Sequence, residues 1–211
     1  MKQPLVLVLL ILLLGSGAGA GAAPITFTNF DGNHSTIGFR VPILGGMSEV
    51  EGKFMSFAVT LVYDDQDLSK SSVAAVIQVS SVTTGIPERD KHLLAAAFFD
   101  AAHHPEIRFT SSHVEKRGDH LVAAGTLEMR GVRKLIELQV EVKGVHDDPK
   151  SGKVQIGAAA TTTLNRQDYG ISWRHEEPTF VGDDVRVSIH LLSKDTDRSR
   201  PAASSPRGPA T

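Results

Sequence analysis

Apolar and polar residues alternate with a period of two over almost the whole stretch from Asn33 to Leu192. This period is typical of β-strands that bury one face, and the β-branched and aromatic residues lie in runs bounded by Gly, Asp, Asn, Ser and Pro. The clearest case is the run IELQVEVK at 136–143, in which every second residue is aliphatic. The pattern predicts an all-β domain with eight strands: His34–Val41, Glu49–Tyr63, Val73–Val82, Glu106–Val114, His120–Arg130, Lys134–Val145, Val154–Leu164 and Asp184–Leu192.

Short connections with turn residues, such as 117–119 and 147–152, predict that consecutive strands pair antiparallel. Strands with one apolar face remove their unpaired edges when the last strand pairs with the first. We therefore favour an eight-stranded antiparallel up-and-down barrel. A two-sheet sandwich would show the same alternation, so periodicity alone leaves both architectures open.

One interval breaks the strand pattern. Residues 86–99 begin with Pro87 and acidic residues and continue with helix formers, and their apolar residues cluster towards Phe98 and Phe99. Pro105 marks the return to extended chain. The sequence predicts a short helical insertion that could plug or cover one opening of the barrel.

The two ends of the chain differ from this domain in composition. Residues 1–22 combine Lys2, an apolar run of about ten residues and a stretch of small residues, which predicts a secretory signal peptide cleaved after Ala20 or Ala22. The barrel domain is expected at 25–194. Residues 195–211 are rich in Pro and Ser and have no large apolar residue, so we expect a disordered tail there.

Charge and composition exclude several classes of function. The formal net charge is −2, which provides no basic field for nucleic acid. No cysteine is present, so neither a disulfide nor a cysteine-linked lipid can form. The nine histidines are scattered and include no metal-binding helical pair, and no His-Ser pair has a recognisable third catalytic partner. We therefore predict no metal site and no catalytic residue.

The interior of an eight-stranded barrel is either just filled by side chains or just wide enough for one small ligand. Small residues on one strand would leave volume unfilled, although they could also accommodate the taper of the barrel. An aliphatic and aromatic wall with few charges would take a long apolar molecule. The candidate ligand-binding residues are Phe39, Phe57, Val59, Ile77, Val79, Phe109, Leu138, Val140, Ile156, Ala158, Ala160 and Ile189.

Several ordered motifs resemble the YceI-like family of periplasmic lipid-binding proteins. They are HSTIGF at 34–39, SVTTG at 81–85, RDKHL at 89–93, FFD at 98–100, PEIRF at 105–109, GTL at 125–127, GV at 131–132 and NRQDYG at 165–170. Together they cover nearly the whole domain. The resemblance implies a lipocalin-like barrel with a helical insertion, secretion to the periplasm, and a cavity for polyisoprenoid chains such as isoprenoid quinones or their precursors.

Five polar or aromatic residues in these motifs could contact a ligand head group at the mouth of the barrel: Arg89, Asp90, Asn165, Arg166 and Tyr169. An arginine can bind a phosphate with two parallel hydrogen bonds. The same residue types also cap helices and hold turns, which favours a structural role for each of them.

The sequence thus predicts non-enzymatic binding, storage or transport of an amphiphilic isoprenoid, with no covalently bound cofactor. One alternative is an interaction module whose barrel is filled by side chains and whose loops contact an envelope or electron-transfer protein. Another is an enzyme that acts on an isoprenoid head group. A membrane partner and a homodimer are left open by the sequence.

Overall fold

The computed structural model describes residues 23–174, 176–177 and 180–197. These residues form twelve strands and one α-helix. The strands are β1 Ile25–Phe27, β2 Thr36–Ile43, β3 Ser48–Phe54, β4 Phe57–Tyr63, β5 Ser72–Gln78, β6 Val82–Thr83, β7 Glu106–Arg117, β8 His120–Met129, β9 Val132–Asp148, β10 Lys153–Asn165, β11 Asp184–Leu192 and β12 Thr196–Asp197, and α1 spans Pro87–Leu94. The predicted signal peptide at 1–22 and residues 198–211 of the predicted tail lie outside the described residues.

All twelve strands belong to one curled antiparallel sheet, with the order β1-β4-β5-β7-β8-β9-β10-β11-β2-β3-β6 and β12 paired to β10. The predicted pairing of the last long strand with the first is confirmed, because Ile189 of β11 lies opposite Ile37 of β2. A single sheet rules out the two-sheet sandwich. Among the described strands, however, β3 and β4 form no ladder with each other, so the sheet is an open half-barrel along this seam.

The prediction of eight strands was wrong because two predicted strands are interrupted. Glu49–Tyr63 is divided at Met55 and Ser56, whose amides donate to Ser81 instead of continuing a ladder. Val73–Val82 is broken by a 3-10 turn at Val79–Ser81. Two short terminal strands, β1 and β12, were not predicted. β12 pairs with β10, although its residues belong to the segment that we expected to be a disordered tail.

The interior of the sheet holds two apolar clusters. The larger one includes Ile37, Phe39, Phe54, Phe109 and Leu138, together with further buried residues from most strands. The smaller one consists of Ile25, Phe27, Val154 and Ile156. The inward residues of β10 therefore contact both clusters: Val154 and Ile156 belong to the smaller one, and Ala160 packs against the larger one.

The predicted insertion contains an α-helix that is shorter than residues 86–99. Pro87 occupies the first helical turn, where the missing amide hydrogen is not needed, and the helix ends at Leu94, followed by Ala95 in an extended conformation. The Asp90 carboxylate accepts hydrogen bonds from the Thr84 amide at 2.7 Å and from the hydroxyls of Thr83 and Thr84 at 2.9 and 2.5 Å, which attaches the helix to the sheet. No helix in the described residues is long and apolar enough to span a membrane.

Candidate functional site

A cavity of about 190 Å³ lies inside the curled sheet. Nine strands contribute to its wall. Residues outside the strands complete it: Leu93 of α1, Phe98, Phe99, Arg166, Ile171 and Val181. The residues of the wall are apolar except for Thr162 and Arg166, and nearly all of the surface that they present to the cavity is apolar. Such a wall favours an apolar guest, because a polar group placed against it would lose its hydrogen bonds with water.

Six of the twelve predicted ligand-binding residues line this cavity: Phe39, Val59, Ile77, Phe109, Leu138 and Ile189. Phe57, Val140 and Ala160 instead pack against the larger apolar cluster, and Val79 belongs to it. These four residues support the wall.

The remaining two predicted residues, Ile156 and Ala158, lie away from the cavity wall. Ile156 is buried in the smaller cluster, and Ala158 is only half-buried and is absent from the cavity wall. Both residues share a face of β10 with Thr162 and Leu164, which do line the cavity. The alternation of apolar residues identified the correct face of β10. It could not show that Phe27 and its neighbours fill the interior beside Ile156, so that only the other end of this face, at Thr162 and Leu164, reaches the cavity.

The sequence reasoning missed wall residues of two kinds. Leu127, Met129, Val185 and Val187 alternate along predicted strands, so the period-two pattern could have identified them. Phe98, Phe99, Ile171 and Val181 lie outside regular strands and reach the cavity because their segments fold over the sheet. The apolar end of the predicted helical insertion placed Phe98 and Phe99 at an opening of the barrel, but no local pattern in the sequence indicates Ile171 and Val181.

Four aromatic rings form a continuous cluster beside the cavity, which we call the aromatic cluster: His92, Phe98, Trp173 and Phe180. The Trp173 ring centroid lies 5.3 Å from His92, 5.2 Å from Phe98 and 6.2 Å from Phe180. The Arg174 guanidinium lies over Phe180 at 4.1 Å, a favourable cation–π distance. Since Phe98 also lines the cavity, the aromatic cluster adjoins this part of the wall.

Arg166 holds the segment that carries Trp173. Its buried guanidinium donates to the carbonyl oxygens of Ile171 at 2.8 Å and Trp173 at 2.9 Å, with longer hydrogen bonds to Gly182 and Val181. It also forms an ion pair with Asp183 at 2.9 Å. Although Arg166 borders the cavity, its donors are directed at protein acceptors and its charge is balanced, so the structure gives it a structural role.

The other predicted mouth residues also have protein partners, with one exception. The Arg89 guanidinium donates to the hydroxyl and carbonyl oxygens of Thr84. The Asn165 side chain accepts a hydrogen bond from the Gln167 amide at 3.0 Å and begins the 3-10 turn Arg166–Tyr169. Tyr169 is buried in the larger cluster, and its hydroxyl has no hydrogen-bond partner among the described residues.

Two pKa shifts follow from these contacts. The hydrogen bonds to Asp90, above all from the Thr84 hydroxyl, lower the pKa of its carboxyl because they stabilise the charged form. Burial raises the pKa of the Tyr169 phenol, and the nearby charge of Asp168 adds to this effect. Within the described residues, no three His, Asp or Glu side chains come close enough to hold a metal ion.

Comparison with known proteins gives two kinds of sequence match. The model of the YceI-like domain family matches residues 29–192. The proteins named Protein YceI from Salmonella arizonae and Salmonella heidelberg are each 37% identical over 142 residues, which cover 67% of this chain and 73% of the relative.

Solved structures with a similar fold come from three other bacteria. Burkholderia cenocepacia BcnA has a TM-score of 0.70 at 18% identity, over 79% of this chain and 100% of that one. The Campylobacter jejuni YceI protein has a TM-score of 0.65 at 28% identity, over 72% and 87%. A polyisoprenoid-binding domain from Saccharophagus degradans, implicated in plant cell wall breakdown, has a TM-score of 0.58 at 16% identity, over 81% and 98%.

The low identity of the first and third structures limits them to evidence for the fold. The family model, in contrast, spans most of the chain, and the Salmonella relatives exceed 30% identity over two thirds of it. The resemblance seen in the sequence motifs is thereby confirmed, and the chain belongs to the YceI-like family.

Proposed function

We propose that this protein binds an amphiphilic isoprenoid, such as an isoprenoid quinone or a polyprenyl precursor, by burying its chain in the cavity. The protein stores or carries this lipid in the periplasm and neither makes nor breaks a covalent bond. The observation that carries the proposal is the apolar wall, in which the Arg166 guanidinium is already paired with protein acceptors. The polyisoprenoid binding named for the structurally similar Saccharophagus domain supports the same class of ligand.

The energetics of burial suit this ligand. Burying one CH₂ group contributes about 0.8 kcal/mol, so the five carbons of one isoprene unit contribute about 4 kcal/mol. Association costs about 4–15 kcal/mol, which a few buried units offset. A charged head group cannot gain such energy from an apolar wall, so it stays outside the cavity.

The positions of the polar residues favour binding over catalysis. Arg89 and Asp90, which could act on a head group, contact Thr83 and Thr84 instead. Arg166 contacts the segment that carries Trp173. Each of these side chains has a structural partner that accounts for its position.

Two leucines of β9 provide a matched test. Leu138 lines the cavity and is 7% exposed, whereas Leu135 on the same strand is 81% exposed. Leu138→Glu should abolish binding of geranylgeraniol, a C20 isoprenoid alcohol, and Leu135→Glu should bind it as the wild type does. Binding can be followed by the fluorescence of Trp173, the one tryptophan in the sequence.

Leu138→Thr extends the test if Leu138→Glu does not fold, because threonine introduces a hydroxyl without a charge. We expect Leu138→Thr to bind more weakly than the wild type. Equal binding by a folded Leu138 variant and by Leu135→Glu would contradict the proposed site.

A further inference from the structure

Gly52 and Phe39 form a close cross-strand pair beside the cavity. They lie opposite each other in the ladder between β2 and β3, and opposite residues point to the same face of a sheet. A Cβ atom built on Gly52 would lie 2.3 Å from Cζ of Phe39 and 2.8 Å from each Cε atom. These three ring atoms are its nearest neighbours, and the shortest distance is about 1 Å below ordinary contact.

The Phe39 ring thus occupies the space that a side chain at position 52 would need. The ring also packs against Phe54, at a centroid distance of 5.9 Å. Phe54 in turn packs edge-on against Phe99 at 5.8 Å, and Phe99 and Phe39 both line the cavity. A ring displaced from Gly52 would therefore move into the cavity, which is the unfilled space beside it.

We propose that Gly52 is a specificity-determining residue: by lacking a side chain, it lets the Phe39 ring lie against the sheet and so sets the width of the cavity and the length of isoprenoid that enters. This inference rests on the proposed function. A cavity of about 190 Å³ is small compared with typical ligand pockets of about 300–1,000 Å³, so a ring shift of about 1 Å changes its capacity.

Gly125, which is buried, shows how Gly52 differs from a glycine that packs against backbone atoms. A Cβ atom on Gly125 would lie 2.4 Å from the carbonyl oxygen of Thr110, 2.6 Å from the Cα atom of Ser111 and 2.8 Å from Cζ of Phe109. The two nearest atoms belong to the backbone, so a substitution there strains the strand pairing itself, whatever the Phe109 ring does. At Gly52 the nearest atoms are the end of one side chain, and a substitution changes the position of that ring.

Four variants test the proposal. Gly52→Ala displaces the ring, Phe39→Leu removes it, and the double variant leaves room for the new methyl group. Gly144→Ala is the control, because a Cβ atom at Gly144 in β9 has no neighbour within 4 Å. The probes are geraniol, farnesol and geranylgeraniol, which contain two, three and four isoprene units, with Trp173 fluorescence as the readout and thermal melting as the check of folding.

We expect Gly52→Ala to weaken geranylgeraniol binding by about fivefold or more, because inserting a methyl group into a packed interior is costly. Geraniol, which needs less space, should be affected less. The double variant should restore binding to within about twofold of the wild type. Phe39→Leu should raise the affinity for geranylgeraniol relative to geraniol, and Gly144→Ala should bind like the wild type.

The outcomes separate the two proposals. If the wild type binds none of the three alcohols, the proposed function fails. If the wild type binds them and Gly52→Ala binds them equally well, the function stands and the role of Gly52 is overturned. If Gly52→Ala does not fold, the Phe39→Leu variant tests the proposal instead. A ratio of geranylgeraniol affinity to geraniol affinity equal to that of the wild type would overturn it.

Discussion

Replacing Arg166 with methionine should detach the segment that carries Trp173 from the sheet. The variant keeps an apolar stem of similar length but removes the guanidinium. Two short hydrogen bonds, to the carbonyl oxygens of Ile171 and Trp173, and the ion pair with Asp183 are then lost. The segment keeps its other contacts with the sheet, so we expect local loosening and a lower global stability.

The size of the effect follows from the burial of the pair. A hydrogen bond to a charged group contributes about 1.5–3 kcal/mol, and breaking a buried ion pair costs about 3–5 kcal/mol. The Arg166 side chain is 5% exposed and the paired Oδ1 atom of Asp183 is buried, but the Asp183 side chain as a whole is 26% exposed, so water reaches only the rest of the carboxylate and offsets a small part of the loss. We therefore expect the free energy of unfolding to fall by about 3 kcal/mol, the lower end of this range.

Urea denaturation measures this change directly. For a domain of this size, about 3 kcal/mol corresponds to a decrease of about 6–12 °C in melting temperature. Hydrogen exchange should accelerate most at the described residues from Ile171 to Asp183, since their carbonyl oxygens and carboxylate contact the guanidinium. Arg166→Lys should lose nearly as much, because one ammonium group cannot reach the same set of acceptors.

Arg186→Met is the matched control. The Arg186 side chain is 58% exposed and pairs with Glu49 on the outer surface, and exposed ion pairs contribute at most about 1 kcal/mol. If Arg166→Met and Arg186→Met destabilise the protein equally, the reasoning that assigns Arg166 a structural role is refuted.

Three further variants test other parts of the structure. Asp90→Asn should lower the melting temperature at pH 7, because hydrogen bonds from Thr84 hold the pKa of the Asp90 carboxyl below its ordinary 3.8. The difference from the wild type should disappear as the pH falls through that lowered pKa, and a difference that persists unchanged at pH 2 would contradict it. Gly125→Ala should lower the free energy of unfolding, measured by urea denaturation, by about 1–3 kcal/mol, because the new Cβ atom meets the backbone of β7. The control Gly144→Ala should change it by less than about 1 kcal/mol, and equal losses in the two variants would argue against close packing at β7. Trp173→Ala should speed transfer of bound geranylgeraniol to lipid vesicles, because it removes the centre of the aromatic cluster, and an unchanged transfer rate would show that the cluster does not cover the cavity.

The sequence predicted the fold class and the antiparallel pairing because both depend on local patterns. The alternation at 136–143 lies within β9, and short turns join β7 to β8 and β8 to β9. The break at Met55 and Ser56 could not be predicted, because it depends on hydrogen bonds to Ser81, a residue distant in sequence. The open seam between β3 and β4 follows from the same interruption.

The cavity was predictable only in part for the same reason. Alternation places Phe39, Phe109 and Leu138 on the inner face, and all three line the cavity. It could not show that Phe27 and its neighbours fill the interior near Ile156. Nor could it place Phe98, which reaches the wall because the segment after α1 folds over the sheet.

The most direct test of the account is native mass spectrometry of the protein purified from the cells that produce it naturally, followed by solvent extraction. The account predicts one isoprenoid molecule per protein chain, released by the solvent and identified by its mass. A measured mass equal to that of the protein alone, together with no binding of added isoprenoid quinones or polyprenyl phosphates, would contradict it.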